Sequence, residues 1–145
     1  MLDPVKTYKR AQTEGLSQRD LIVMCYKGAI SFLEQAKRAH AAGEFEEFSE
    51  LLEKAHRVIV HLYTTLDAER GGEIAAKLAD LYAYMISQLY VVSATKEIKT
   101  VDSLIQLLGT VKEGWEQIDS HPTESDRLPN SVESTAGHKQ LALQG

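Results

Sequence analysis

A single cysteine stands in this chain of 145 residues, so no internal disulfide can form and a reducing compartment is the expected setting. Cys25 lies in a helical pattern between Met24 and Tyr26. That is the place of a small buried hydrophobe; a nucleophile would need a neighbouring base and an electropositive setting. Basic residues are also short: 16 lysines and arginines face 21 aspartates and glutamates, a net charge of -5. They form no stripe that could neutralise phosphates, which excludes nucleic acid as a partner. No apolar run is long enough to span a bilayer, and Met1 to Lys6 contains no apolar stretch of signal-peptide length. The expectation is a soluble, cytoplasmic protein with no direct membrane insertion. A Gly-rich phosphate loop, a Gly-x-Ser-x-Gly elbow, a cysteine pair for zinc and an internal repeat are all missing.

What the chain does contain is amphipathic helical periodicity, four times over. Residues 1 to 16 are polar and broken by Pro4 and Gly15, which predicts a mobile arm with Val5 and Tyr8 as isolated apolar side chains. Ser17 is a good N-cap, with Asp20 three residues on, and the helix it opens is expected to run to about Ala42, before Gly43. Leu21, Cys25, Phe32, Ala36 and Ala39 form one face of that helix, and Ile22, Tyr26, Ala29 and Leu33 a second beside it. The apolar sector is wider than one partner helix requires.

The second helix is expected from about Glu44 to Asp67, on a regular seam of Phe48, Leu51, Leu52, Ala55, Val58, Ile59, Leu62, Tyr63 and Leu66. Gly71-Gly72 breaks the chain. The third should run from about Glu73 to Thr95 with core positions Ile74, Leu78, Leu81, Met85, Leu89 and Val92, and a second row of Ala75, Ala79, Tyr82 and Ile86. The fourth, from about Lys96 to Ile118, presents Val101, Leu104, Ile105, Leu108, Val111, Trp115 and Ile118; Gly109 and Gly114 weaken it by about 1 kcal/mol each relative to alanine. Beyond Asp119 the composition turns to Ser, Thr, Pro, Glu, Asn and Gly, which reads as a disordered tail over 120 to 145. Short connections make neighbours antiparallel, so the expected fold is all-α: an up-down four-helix bundle over 17 to 119, with an arm and a tail.

Chemistry is sparse on these helices. Glu53-Lys54-Ala55-His56 has the Glu-x-x-His spacing of di-iron bundles, but no second copy exists, and both residues flank the seam, as a solvated helix face would. His40 and His61 have no ligand-spaced partner on their helices, and His121 and His138 fall in the tail. No catalytic residue, cofactor or metal site is expected. Tyr26, Tyr63, Tyr82, Tyr84 and Tyr90 combine apolar rings with polar tips, which suits either a recognition surface or the rim of a core. Tyr63 fits the core; for Tyr26 and Tyr82 both readings stand. Gly28, mid-helix, points to a close helix crossing or a groove floor.

Several segments resemble one family in the same order and spacing. Met24-Cys25-Tyr26-Lys27-Gly28-Ala29-Ile30 resembles the Met-Leu-Tyr-Asp-Gly-Ala-Ile signature of the flagellar export chaperones, the FliS family. Leu66 to Ala75 resembles that family's linker into its third helix, Leu81-Tyr82-Ala83-Tyr84-Met85 its Leu-Tyr-Asp-Tyr-Met run, and Trp115-Glu116-Gln117-Ile118 its terminal Trp-x-x-Ile; Tyr8 matches the aromatic of its arm. Lys27 and Ala83 depart from acidic residues, Gln18 from a proline and Cys25 from a leucine. The resemblance implies a cytoplasmic, non-enzymatic chaperone that holds the C-terminal segment of flagellin, prevents premature polymerisation and delivers it to components of the flagellar type III export gate. The second apolar rows then become candidate grooves, with Tyr8, Ile22, Tyr26, Ala29, Leu33, Ala75, Ala79, Tyr82 and Ile86 as the protein-binding residues. The alternatives are a homo-oligomeric adaptor, a homodimer among them, whose extra rows bury a subunit interface, and a metal-binding helical enzyme.

Overall fold

Four helices make up residues 18–116: α1 (Gln18–Ala41), α2 (Phe45–Thr64), α3 (Ala68–Thr95) and α4 (Ile98–Glu116). The structure is a computed structural model that describes Lys6 and residues 17–118, without the side chains of Ala68 and Arg70. The expected arm, apart from Lys6, and the expected tail lie outside the described residues, and so does Tyr8.

Local chemistry sets the helix limits. Ser17 is extended (φ -67°, ψ 158°), and its hydroxyl accepts the Asp20 backbone N–H at 3.1 Å, which satisfies one of the orphan donors of α1. At the other end Gly43 takes φ 76°. The Glu44 N–H donates to the Ala39 carbonyl at 2.9 Å and the Gly43 N–H to the His40 carbonyl at 3.0 Å, the paired bonds of a left-handed glycine stop. α2 ends three residues short of the expected Asp67. There the Thr64 and Thr65 hydroxyls donate to the His61 and Leu62 carbonyls, drawing the last turn away from regular helix. α3 begins earlier than expected, with one turn from Ala68 and then a kink at Gly72, whose φ of 54° and ψ of -127° only glycine adopts comfortably. α4 starts two residues later than expected, because Lys96 is left-handed (φ 59°) and Glu97 extended.

α1 is the central element. It packs most extensively on α2 and next on α4, whereas α3 rests on α2 and touches α4 only slightly. This explains the double apolar row on α1: Leu21, Cys25, Phe32, Ala36 and Ala39 are buried, and so are Ile22, Tyr26, Ala29 and Leu33. Covering both rows consumes both flanking helices. Polar links fix the ends of the α1–α4 pair. The Arg19 guanidinium donates to the Glu116 and Ile118 carbonyls at 3.1 and 3.2 Å, where a helix C-terminus favours a cation. Lys37 meets Asp102 at 2.6 Å, and His40 Nε2 donates to the Lys96 carbonyl at 3.0 Å. These pairings join the start of α1 to the end of α4 and the reverse, which fits the up-down order.

Gly109 and Gly114 stand in open space, with nothing within 4 Å of an added methyl group. Substituting alanine at either should therefore raise stability by about 0.5–1 kcal/mol through helix propensity alone, read as an upward shift in the urea midpoint. A loss of stability at either position would show that the end of α4 is not a regular helix in solution.

Candidate functional site

The aromatic and aliphatic side chains left exposed are not scattered. Ile74, Tyr84, Tyr90 and Val91 on α3 are 61%, 52%, 64% and 44% exposed, joined on α2 only by Phe45 and Tyr63 among the described large apolar residues. Such side chains cluster on α3 because that helix stands at the edge of the bundle, held firmly on one side only. A cleft lies on each flank of it. Between α3 and α4, Tyr84, Gln88, Thr100, Ser103, Leu104 and Leu107 line a space of about 290 Å³. Between α2 and α3, Ser49, Leu52, Glu53, His56, Leu89, Tyr90 and Ser93 line one of about 310 Å³.

The two clefts differ in chemistry. The α3–α4 cleft is lined by apolar and neutral polar side chains and continues along the α3 row of Ile74, half-buried Leu81, Tyr84 and Val91. The α2–α3 cleft holds a carboxylate and an imidazole. His56 packs edge-on to the Tyr90 ring, centroids 5.2 Å apart, and its Nε2 has no exposed surface and no hydrogen-bond partner among the described residues. Glu53 is exposed, as a solvated helix face requires, and His56 is half-buried; together they also line this cleft. Their row, 49, 53 and 56 on α2 facing 90 and 93 on α3, was visible in the sequence as helical spacing, but the spacing alone does not say that the helices part there.

Most of the residues expected to line a groove do not reach the surface in this conformation. Ile22, Tyr26, Ala29, Leu33, Ala75 and Tyr82 are all buried, at most 2% exposed, while Ala79 and Ile86 remain half-buried on α3. The expected core position Ile74 is instead exposed. The core row of α3 runs through Ala75, Tyr82, Met85, Leu89 and Val92, so Tyr82 has changed places with Ile74. Tyr63, expected in the α2 seam, is 43% exposed.

What holds Tyr26 and Tyr82 inside is a polar cluster spanning three helices. The two hydroxyls hydrogen-bond to each other, and the Trp115 indole N–H donates to the Tyr26 hydroxyl at 3.3 Å. Each polar tip thus keeps a partner, the condition under which tyrosine and tryptophan bury well. Burial pushes the Tyr26 phenol up from 10.0 to about 12, although the bonds from Tyr82 and Trp115 pull the other way. Burial, with the Tyr26 phenol beside it, raises Tyr82 as well, and burial takes the Cys25 thiol from 9.0 to about 12. A thiol so held is neutral and unreactive.

These shifts have a sign in stability. Each group binds its proton more tightly folded than unfolded, so the stability it contributes is complete below about pH 9 and is lost as pH rises towards 12. Melting temperature should be flat from pH 7 to 8.5 and fall steeply above pH 10, with phenolate absorbance from the buried pair appearing only on unfolding. Phenolate absorbance from every tyrosine before unfolding would place the pair at the surface.

Among the described residues no three His, Cys, Asp or Glu side chains come together as a metal-binding group, and no helix is long and apolar enough to cross a membrane. Comparison with known proteins gives one consistent result. The sequence matches the family described as flagellar protein FliS over residues 1–122. It is 35% identical over 108 residues to flagellar secretion chaperone FliSB of Pseudomonas aeruginosa, covering 74% of this chain and 86% of the relative. Flagellar secretion chaperone FliS of Salmonella typhimurium is 34% identical over 119 residues, covering 79% and 88%. The Vibrio cholerae protein of that name is 30% identical over 122 residues, covering 81% and 90%.

Proposed function

This chain belongs to the FliS family of flagellar proteins, and from that premise we propose that it is a flagellin chaperone whose docking face is the exposed row of α3 with the α3–α4 cleft beside it. The observation that carries the reading is the concentration of exposed Ile74, Tyr84 and Val91 on the one helix that the bundle leaves partly uncovered. A protein that only needed to be stable would cover such a row, because contiguous exposed apolar surface invites association.

The occupant is the C-terminal segment of flagellin, held as one or more short amphipathic helices. An unfolded export substrate brings apolar side chains at helical spacing, and the α3 row offers matching positions at i, i+7 and i+10. The protein contributes no covalent step: covering the segment keeps it from polymerising, and competition at components of the export gate releases it. Isothermal titration of the full chain with a synthetic C-terminal peptide of the cognate flagellin tests this. One-to-one binding supports the reading, and no heat with a folded protein overturns it.

A further inference from the structure

The α2–α3 cleft has a chemistry that an apolar docking face does not need. We propose that it is a socket for an arginine side chain of the bound polypeptide. Hydrogen-bond acceptors set the preference. Glu53 supplies a carboxylate, and the hydroxyls of Ser49 and Ser93 add lone pairs from the two opposite walls. His56 Nε2 is sealed from solvent without a hydrogen-bond partner among the described residues, and in the Nδ1–H tautomer it too is an acceptor. No lysine or arginine is among the lining residues: Lys54 places its Nζ over the Phe32 ring at 5.8 Å, and Arg57, one turn on from Glu53, is exposed outside the lining.

Shape narrows the choice to a planar cation. Leu52 and Leu89 form an apolar floor on which methylenes can lie, and Tyr90, 64% exposed, offers a ring face at the mouth. A guanidinium stacks on such a ring and reaches several acceptors at once with its fixed fork of donors, which an ammonium cannot do. A donor that reaches Nε2 removes the cost of a buried polar atom left unpaired. The α3–α4 cleft is the internal contrast, being lined by no ionised side chain.

The inference rests on the reading that a polypeptide cargo docks on this bundle, but half of its test does not use that cargo. In the first arm the full chain, isotope-labelled, is titrated by NMR with N-acetyl-arginine amide and with its neutral isostere, N-acetyl-citrulline amide. Resonances of Ser49, Glu53, His56, Tyr90 and Ser93 should shift with the arginine compound alone, and the shifts should vanish in Glu53→Gln. Equal shifts with both compounds, or none with arginine at tens of millimolar, overturn the socket. In the second arm Glu53→Gln should weaken binding of the flagellin C-terminal peptide by about tenfold or more, and Glu50→Gln, outside the lining, by no more than about twofold. If the peptide binds wild type and Glu53→Gln equally well, the socket fails and the chaperone reading stands. If it binds neither, the chaperone reading fails and the first arm alone decides the socket. Glu53 is exposed, so its replacement leaves the core intact.

Discussion

Tyr82→Ala should cost about 3 to 5 kcal/mol of folding stability. Tyr82 is 0% exposed in the middle of α3, and its removal opens a cavity between α1 and α3 while taking one partner from the Tyr26 hydroxyl. For a domain of this size the melting temperature would fall by more than about 10 °C. Tyr82→Phe tests the polar part: the ring volume stays, the hydroxyl bond to Tyr26 is lost, and the cost should drop to about 1 to 2 kcal/mol. A melting temperature unchanged in Tyr82→Ala, with cargo binding lost, would return this residue to an open groove.

Tyr84→Asp should produce the opposite pattern. Tyr84 is 52% exposed at the α3–α4 cleft, so a carboxylate there meets water in the uncomplexed protein and unfolding is unaffected within about 0.5 kcal/mol. Under a bound apolar segment the same carboxylate is desolvated without a partner. Loss of the aromatic anchor together with that penalty weakens peptide binding by about thirtyfold to a thousandfold. Calorimetry and thermal melts on one preparation separate the two effects. Wild-type affinity in Tyr84→Asp would exclude the α3–α4 cleft as the docking face.

The contrast between Tyr82 and Tyr84 shows where the sequence is informative. Helical period, caps and glycine stops are local, so four helices in order, the Ser17 cap and the Gly43 stop are all legible in residues 17 to 118. Choosing between two apolar rows on one helix is a tertiary question. On α3 the rows through Ile74 and through Ala75 have the same period; Met85, Leu89 and Val92 of the first are buried as expected, but in the N-terminal half burial passes to Ala75 and Tyr82 while Ile74 is exposed. The deciding partners lie far off in the chain: Tyr26 meets Tyr82 at a separation of 56 residues and Trp115 at 89. On α1 the second row covers a second neighbour, and nothing in α1 itself distinguishes that from a groove. The clefts beside α3 were illegible for the same reason, since a cleft is a failure of two helices to meet.

The order of manufacture differs from the order of completion in this bundle. Of the four helices described, α1 is the first to leave the ribosome, and α2 follows to cover one of its faces. The other face waits for α4, whose final carbonyls are clasped by Arg19 across 97 and 99 residues of sequence. Until then a nascent chain lacks the α4 side of this face, where Trp115 meets Tyr26, and closure over so long a separation is the slow, entropically costly step of such a topology. A chain halted after α3 would therefore be a sticky three-helix fragment rather than a smaller version of the protein.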